Sequence, residues 1–127
     1  MNIAVIGIGS NIDPQIHIEK AKSLLRGLFR IKGESRFVRT KPVGDVKQPD
    51  FLNGAVLIET DMDCQQLKAT LKTIEQQLGR APNADKFAPR TIDLDILAWN
   101  NTVTDDDFYT REFIKQSVLE LIPDLQY

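Results

Sequence analysis

Two aspartates, Asp93 and Asp95, stand two residues apart in the run Pro-Arg-Thr-Ile-Asp-Leu-Asp-Ile-Leu at 89–97. Ile92, Leu94, Ile96 and Ala98 alternate with Thr91, Asp93, Asp95 and Leu97, and this predicts a strand over 91–98. Residues two apart on a strand share a face, so the two carboxylates project together. Neighbouring carboxylates repel one another and resist ionising until a cation compensates them. A hard divalent ion such as magnesium does so, usually on one or two carboxylates plus the phosphates of a substrate. Arg90, just ahead of the pair, offers a fork that fits a phosphate. The chemistry suggested is metal-assisted handling of a phosphorylated substrate. Asp pairs are also common on plain exposed strand faces, so the surrounding elements have to decide.

Those elements read clearly along the chain. Residues 2–8 are almost continuously apolar and run into Gly7-Ile8-Gly9-Ser10-Asn11, which predicts a buried strand and a turn. Neither glycine completes a dinucleotide or P-loop spacing, so packing and turn roles are expected. Asp13-Pro14 looks like a helix start, and His17, Ala21, Leu24, Leu25 and Leu28 give one apolar helical face over 14–29. His17, the only histidine, is expected to be a satisfied helix residue. Gly33 is expected to close a connection, and 34–40 to form a second strand. The loop 41–49, punctuated by Pro42, Gly44 and Pro49, is a natural carrier of binding groups.

Residues 51–59 predict a third, strongly apolar strand interrupted by Asn53-Gly54. A buried amide there must find hydrogen bonds, either with backbone or with the edge of a planar ligand. Asp63 and Gln66 form a capping-box pattern ahead of Leu67, Leu71, Ile74 and Leu78, and Gly79 ends that helix. Asn100-Asn101 marks a turn, and Ile114, Val118 and Leu121 predict a last helix stopped by Pro123. Asp105, Asp106 and Asp107 read as a charge cluster at a helix N-terminus. The order predicts an α+β fold. It is a ferredoxin-like βαββαβ antiparallel sheet with helices on one face and an appended C-terminal helix.

With 127 residues, one domain spanning 1–127 is expected, large enough for a core without disulfides. The single cysteine, Cys64, fits a reducing compartment, and one histidine makes a His-rich metal site or a catalytic triad a poor fit. A net charge of −2 gives no general pull toward nucleic acid or an anionic membrane. Residues 1–9 are too short and strand-like for a signal peptide or membrane helix. A cytoplasmic protein, monomeric or weakly dimeric, is expected.

Three segments together resemble the 6-hydroxymethyl-7,8-dihydropterin pyrophosphokinase family of folate synthesis. They are Ile6-Gly7-Ile8-Gly9-Ser10-Asn11, then Pro42-Val43-Gly44 with Gln48-Pro49-Asp50-Phe51-Leu52-Asn53, then Gly79-Arg80 with Pro89-Arg90-Thr91-Ile92-Asp93-Leu94-Asp95-Ile96. The resemblance implies transfer of pyrophosphate from ATP to the hydroxymethyl of a reduced pterin, with two Mg2+ ions held by Asp93 and Asp95. It further implies that Arg80 and Arg90 meet the phosphates. Glu75, Lys86, Ile96 and Arg111 would lie at the nucleotide, and Thr40, Val43, Phe51, Asn53, Phe87 and Phe113 at the pterin.

The sequence departs from the family in places. Phe87-Ala88 stands where Trp-Gly is usual, and Pro82 and Lys86 occupy positions often held by arginine. Between Trp99 and Arg111 the chain is shorter, and the Asp105–Asp107 run replaces a His-containing motif. Two alternatives therefore stay open: a pterin-binding protein of the same fold with weak or lost ATP turnover, and a kinase for a related pterin. A nucleic-acid-binding module of βαββαβ type would want exposed sheet aromatics and a basic surface, against the acidic balance found here.

Overall fold

The computed structural model describes residues 1–42, 48–80 and 91–127. The chain forms β1 (Asn2–Ser10), α1 (Pro14–Leu28), β2 (Arg30–Glu34), β3 (Val38–Thr40) and β4 (Phe51–Thr60). It continues with α2 (Cys64–Gln77), β5 (Asp93–Trp99), β6 (Thr102–Val103), a 3-10 turn (Asp106–Tyr109) and α3 (Glu112–Leu121). The strands make one antiparallel sheet in the order β2-β4-β1-β5-β6, with β3 also paired to β4.

Alternation along β1 builds two cores. Ala4, Ile6 and Ile8 pack with Ile18, Ala21 and Leu25 of α1 and with Leu67, Leu71 and Ile74 of α2. Val5, on the opposite face, packs with Ala55, Leu97 and Ala98 and with Ile114 and Val118 of α3. The sheet is thus covered by α1 and α2 on one side and by α3 on the other. Each fully buried aliphatic side chain contributes about 1.5–3 kcal/mol.

Helix α2 forms where its local signals place it. The Asp63 carboxylate accepts from Gln66 N at 2.8 Å and the Gln66 amide oxygen accepts from Asp63 N at 2.9 Å. Gly79, at φ +95°, takes the left-handed conformation that ends the helix. The start of α1 differs from expectation. Asp13 itself is left-handed, at φ 42°, and its side chain makes no capping bond. The His17 ring nitrogen Nδ1 meets the Ile12 carbonyl oxygen, which satisfies that residue locally.

Two expectations about strands are corrected. The single strand over 34–40 is two strands, with Gly33 inside the first rather than closing a connection. Buried Ser35 separates them: its N–H donates to Ala55 O and its hydroxyl accepts from Ala55 N, both at 2.8 Å. A side chain that takes over ladder bonds jogs the strand. The alternation expected over 91–98 also breaks. The β1–β5 register shifts between Val5 and Ile6, so Leu97 and Ala98 both join the α3-side core. A bulge of this kind re-aims side chains on either side of it.

Candidate active site

Asp93 and Asp95 lie on the part of β5 before the bulge, paired with Gly9 and Gly7 of β1. Both line a cleft of about 970 Å³. Its walls include Phe51 and Asn53 of β4, Glu75 of α2, Arg80, Ile96 of β5 and Arg111. A smaller lobe of about 80 Å³ shares Asn53, Asp93, Asp95 and Arg111 and adds Phe113. Arg111 lies over the Phe113 ring, 4.6 Å from its centroid. Cavities of this size accommodate drug-sized ligands.

The expected pterin residues are partly gathered. Asn53 Nδ2 donates to the Thr40 hydroxyl at 2.6 Å, so Thr40 holds the amide without itself lining the cleft. Across the β1–β4 pair, Asn53 faces Gly9, where a Cβ would fall 2.3 Å from Asn53 Oδ1. Only glycine leaves room for that amide. Val43, Lys86, Phe87 and Arg90 lie outside the described residues.

Charge is unevenly arranged in the cleft. Arg80 Nη1 donates to Glu75 Oε2 at 2.6 Å and to Asp93 Oδ1 at 2.9 Å. Burial pushes the Glu75 carboxyl up, while the Leu94 N–H and Arg80 pull it back and Asp93 adds to the rise. The Asp95 carboxyl is pushed up to about 7, first by burial among the cleft walls and then by the charges of Asp93, Asp105 and Glu75, with Arg80 opposing. By accessible surface Asp95 is exposed, but what it is exposed to is the cleft. It makes no ion pair or hydrogen bond among the described residues. Asp105 is raised by burial too, opposed by its bond from Asp107 N at 2.9 Å.

This donor set suits a hard divalent cation. Asp95 is a carboxylate with no ion-pair partner among the described residues, two residues from a second carboxylate on the same face. Among the described residues no three His, Cys, Asp or Glu side chains converge to hold an ion. An ion on the pair would therefore complete its shell with substrate oxygens and water, as magnesium commonly does.

Lys68, Lys72 and Asp105 are among the groups lining the cleft that the sequence did not place there. Lys68 and Lys72 of α2 line it beside Glu75 and Leu71, at a spacing of four that places them on one helix face. That spacing was the available signal, but it is shared by any solvated face. Asp105 caps the 3-10 turn, as a charge cluster at a helix start would, yet it also faces Asp93 and Asp95 across the cleft.

Residues 5–123 match the family model described as 7,8-dihydro-6-hydroxymethylpterin-pyrophosphokinase (HPPK). The chain belongs to this pyrophosphokinase family. It is 30% identical over 138 residues to a 2-amino-4-hydroxy-6-hydroxymethyldihydropteridine pyrophosphokinase of Haemophilus influenzae, covering 98% of this chain and 84% of that protein. It is 39% identical over 102 residues to a Bacillus subtilis protein of the same name, covering 78% and 60%. It is also 36% identical over 134 residues to the folic acid synthesis protein fol1 of Schizosaccharomyces pombe, covering 97% of this chain but only 18% of that longer protein. By family, then, the chain is an ATP-dependent transferase of folate synthesis.

Proposed function

We propose that this chain, as one domain, transfers the β,γ-pyrophosphoryl group of ATP to the hydroxymethyl of 6-hydroxymethyl-7,8-dihydropterin, releasing AMP. The supporting observation is a single cleft in which an aromatic and amide corner, Phe51 with Asn53, adjoins an acidic pair, Asp93 with Asp95, and two arginines, Arg80 and Arg111. One end of such a cleft suits a flat heterocycle and the other a metal-bound triphosphate.

In this reading the acceptor hydroxyl oxygen forms a bond to the β-phosphorus. The bond from that phosphorus to the oxygen bridging it to the α-phosphate breaks, and the hydroxyl proton is released. Two Mg2+ ions held by Asp93 and Asp95 would neutralise phosphate charge when bound. The chain's own residues do the positioning. Phe51 and Phe113 cover the pterin faces. Asn53, fixed by Thr40, offers donor and acceptor to the ring edge. Arg80 and Arg111, with Arg90 and Lys86, supply cationic charge to the phosphates. Ile96 lies on the β5 edge where adenine would meet backbone, and Val43 and Phe87 complete the pterin side. With no covalent intermediate on the protein, orientation and fixed charge carry the rate.

The strand order, with β4 and β5 flanking β1 and both crossover helices on one face, supports a ferredoxin-like arrangement extended by β6 and α3. No helix among the described residues is long and apolar enough to cross a membrane. A cytoplasmic monomer or weak dimer, acting on small molecules and not on nucleic acid, is the corresponding proposal.

Calorimetric titration with the hydroxymethyl pterin and a non-hydrolysable ATP analogue tests the site. The expected result is magnesium-dependent nucleotide binding that tightens pterin binding. Pterin binding with no nucleotide binding would instead make this a pterin-binding protein without kinase activity.

A further inference from the structure

The part of β5 that carries Asp93 and Asp95 has an open edge. β1 pairs with Leu94 on one side, and β6 reaches only Ala98 and Trp99, so no strand among the described residues flanks Leu94 on the other side. The Leu94 N–H is taken by a side chain from another element, donating to Glu75 Oε2 at 2.7 Å. The same oxygen accepts Arg80 Nη1, which also donates to Asp93 Oδ1. Glu75 is only 9% exposed. A buried carboxylate is costly unless fully bonded, so this geometry is tightly specified.

Resting on the reading of Asp93 and Asp95 as the metal pair, we propose that Glu75 is a positioning residue for that pair. One oxygen pins the backbone amide between the two aspartates. Through Arg80 it also fixes the carboxylate of the first. It further divides the guanidinium between two anions, so that Arg80 does not neutralise Asp93 alone and compete with the metal. This differs from the role implied by the family resemblance, in which Glu75 meets the nucleotide. Here the oxygen that matters is committed to the protein.

The test uses Mn2+ as the probe, followed by water-proton relaxation with a non-hydrolysable ATP analogue present. The proteins compared are the wild type, Glu75→Gln and Asp95→Asn. Glutamine keeps a neutral acceptor for Leu94 N–H, so the fold should survive, but it loses the charge that holds Arg80. The expected result is an unchanged melting midpoint with a Mn2+ dissociation constant raised about fivefold or more. The KM for metal–ATP should rise with it, and the KM for pterin should not. Unchanged Mn2+ affinity in Glu75→Gln, or a lowered midpoint with unchanged affinity, would overturn the proposal and leave Glu75 a purely structural residue. Should Glu75→Gln fail to fold, Glu75→Asp keeps the charge but is one methylene too short to reach both partners. It must weaken Mn2+ binding to the same extent, and normal affinity there would overturn the proposal. Asp95→Asn separates the two claims. If it leaves Mn2+ affinity unchanged, the metal-pair reading itself fails.

Discussion

Replacing Asp95 with asparagine should abolish turnover and at the same time stabilise the protein without metal. The Asp95 carboxyl is displaced from 3.8 to about 7 by burial and by Asp93, Asp105 and Glu75. Taken at face value a rise of that size is worth about 4 kcal/mol. Asp95 opens to the cleft, and solvent screening there reduces this to about 1–2 kcal/mol. The sign follows from linkage. The folded pKa lies above the unfolded one, so the favourable contribution of protonated Asp95 is whole below about pH 4 and is lost as pH rises through about 7. Asparagine, neutral throughout, avoids that loss. In chelator-treated samples the variant should melt about 3–8 °C above wild type at pH 8 and level with it at pH 4. Differential scanning calorimetry at both pH values, with steady-state assays alongside, reads both effects. A variant that melts lower than wild type at pH 8 would refute the argument, because it would mean that the Asp95 charge is already compensated within the protein.

Other perturbations reach other parts of the account. Gly9→Ala puts a Cβ against Asn53 Oδ1. It should cost about 1–3 kcal/mol in denaturant titrations and weaken pterin binding about tenfold or more, and unchanged pterin affinity would count against the Asn53 assignment. Phe51→Ala should weaken pterin binding in calorimetry by more than it weakens binding of the ATP analogue, and equal losses would remove Phe51 from the pterin side. Asp63→Ala removes one arm of the α2 capping box and should cost about 1 kcal/mol in urea unfolding without altering the KM for either substrate.

What the sequence disclosed was governed by how local each signal is. The capping box at Asp63 and Gln66, the apolar repeat through Ile74 and the glycine stop at Gly79 all act within a few residues, and α2 forms where they place it. The division between β2 and β3 depends on Ser35 bonding to Ala55, twenty residues away, and no window around Ser35 records that. The β5 bulge depends on the pairing with β1, yet the shared face of Asp93 and Asp95 survives because both precede it. Spacing predicted their shared face for that reason. It could not predict that Thr40 would hold the Asn53 amide, that Lys68 and Lys72 would face the cleft, or that Asp105 would face the pair. Each of these depends on how separate elements are docked.

The most direct measurement is a phosphorus NMR time course with the purified chain, ATP, 6-hydroxymethyl-7,8-dihydropterin and magnesium. The account predicts AMP and a pterin diphosphate ester appearing in equal amounts, with neither forming when magnesium or the pterin is left out. ADP with a pterin monophosphate, or intact ATP throughout, would contradict it.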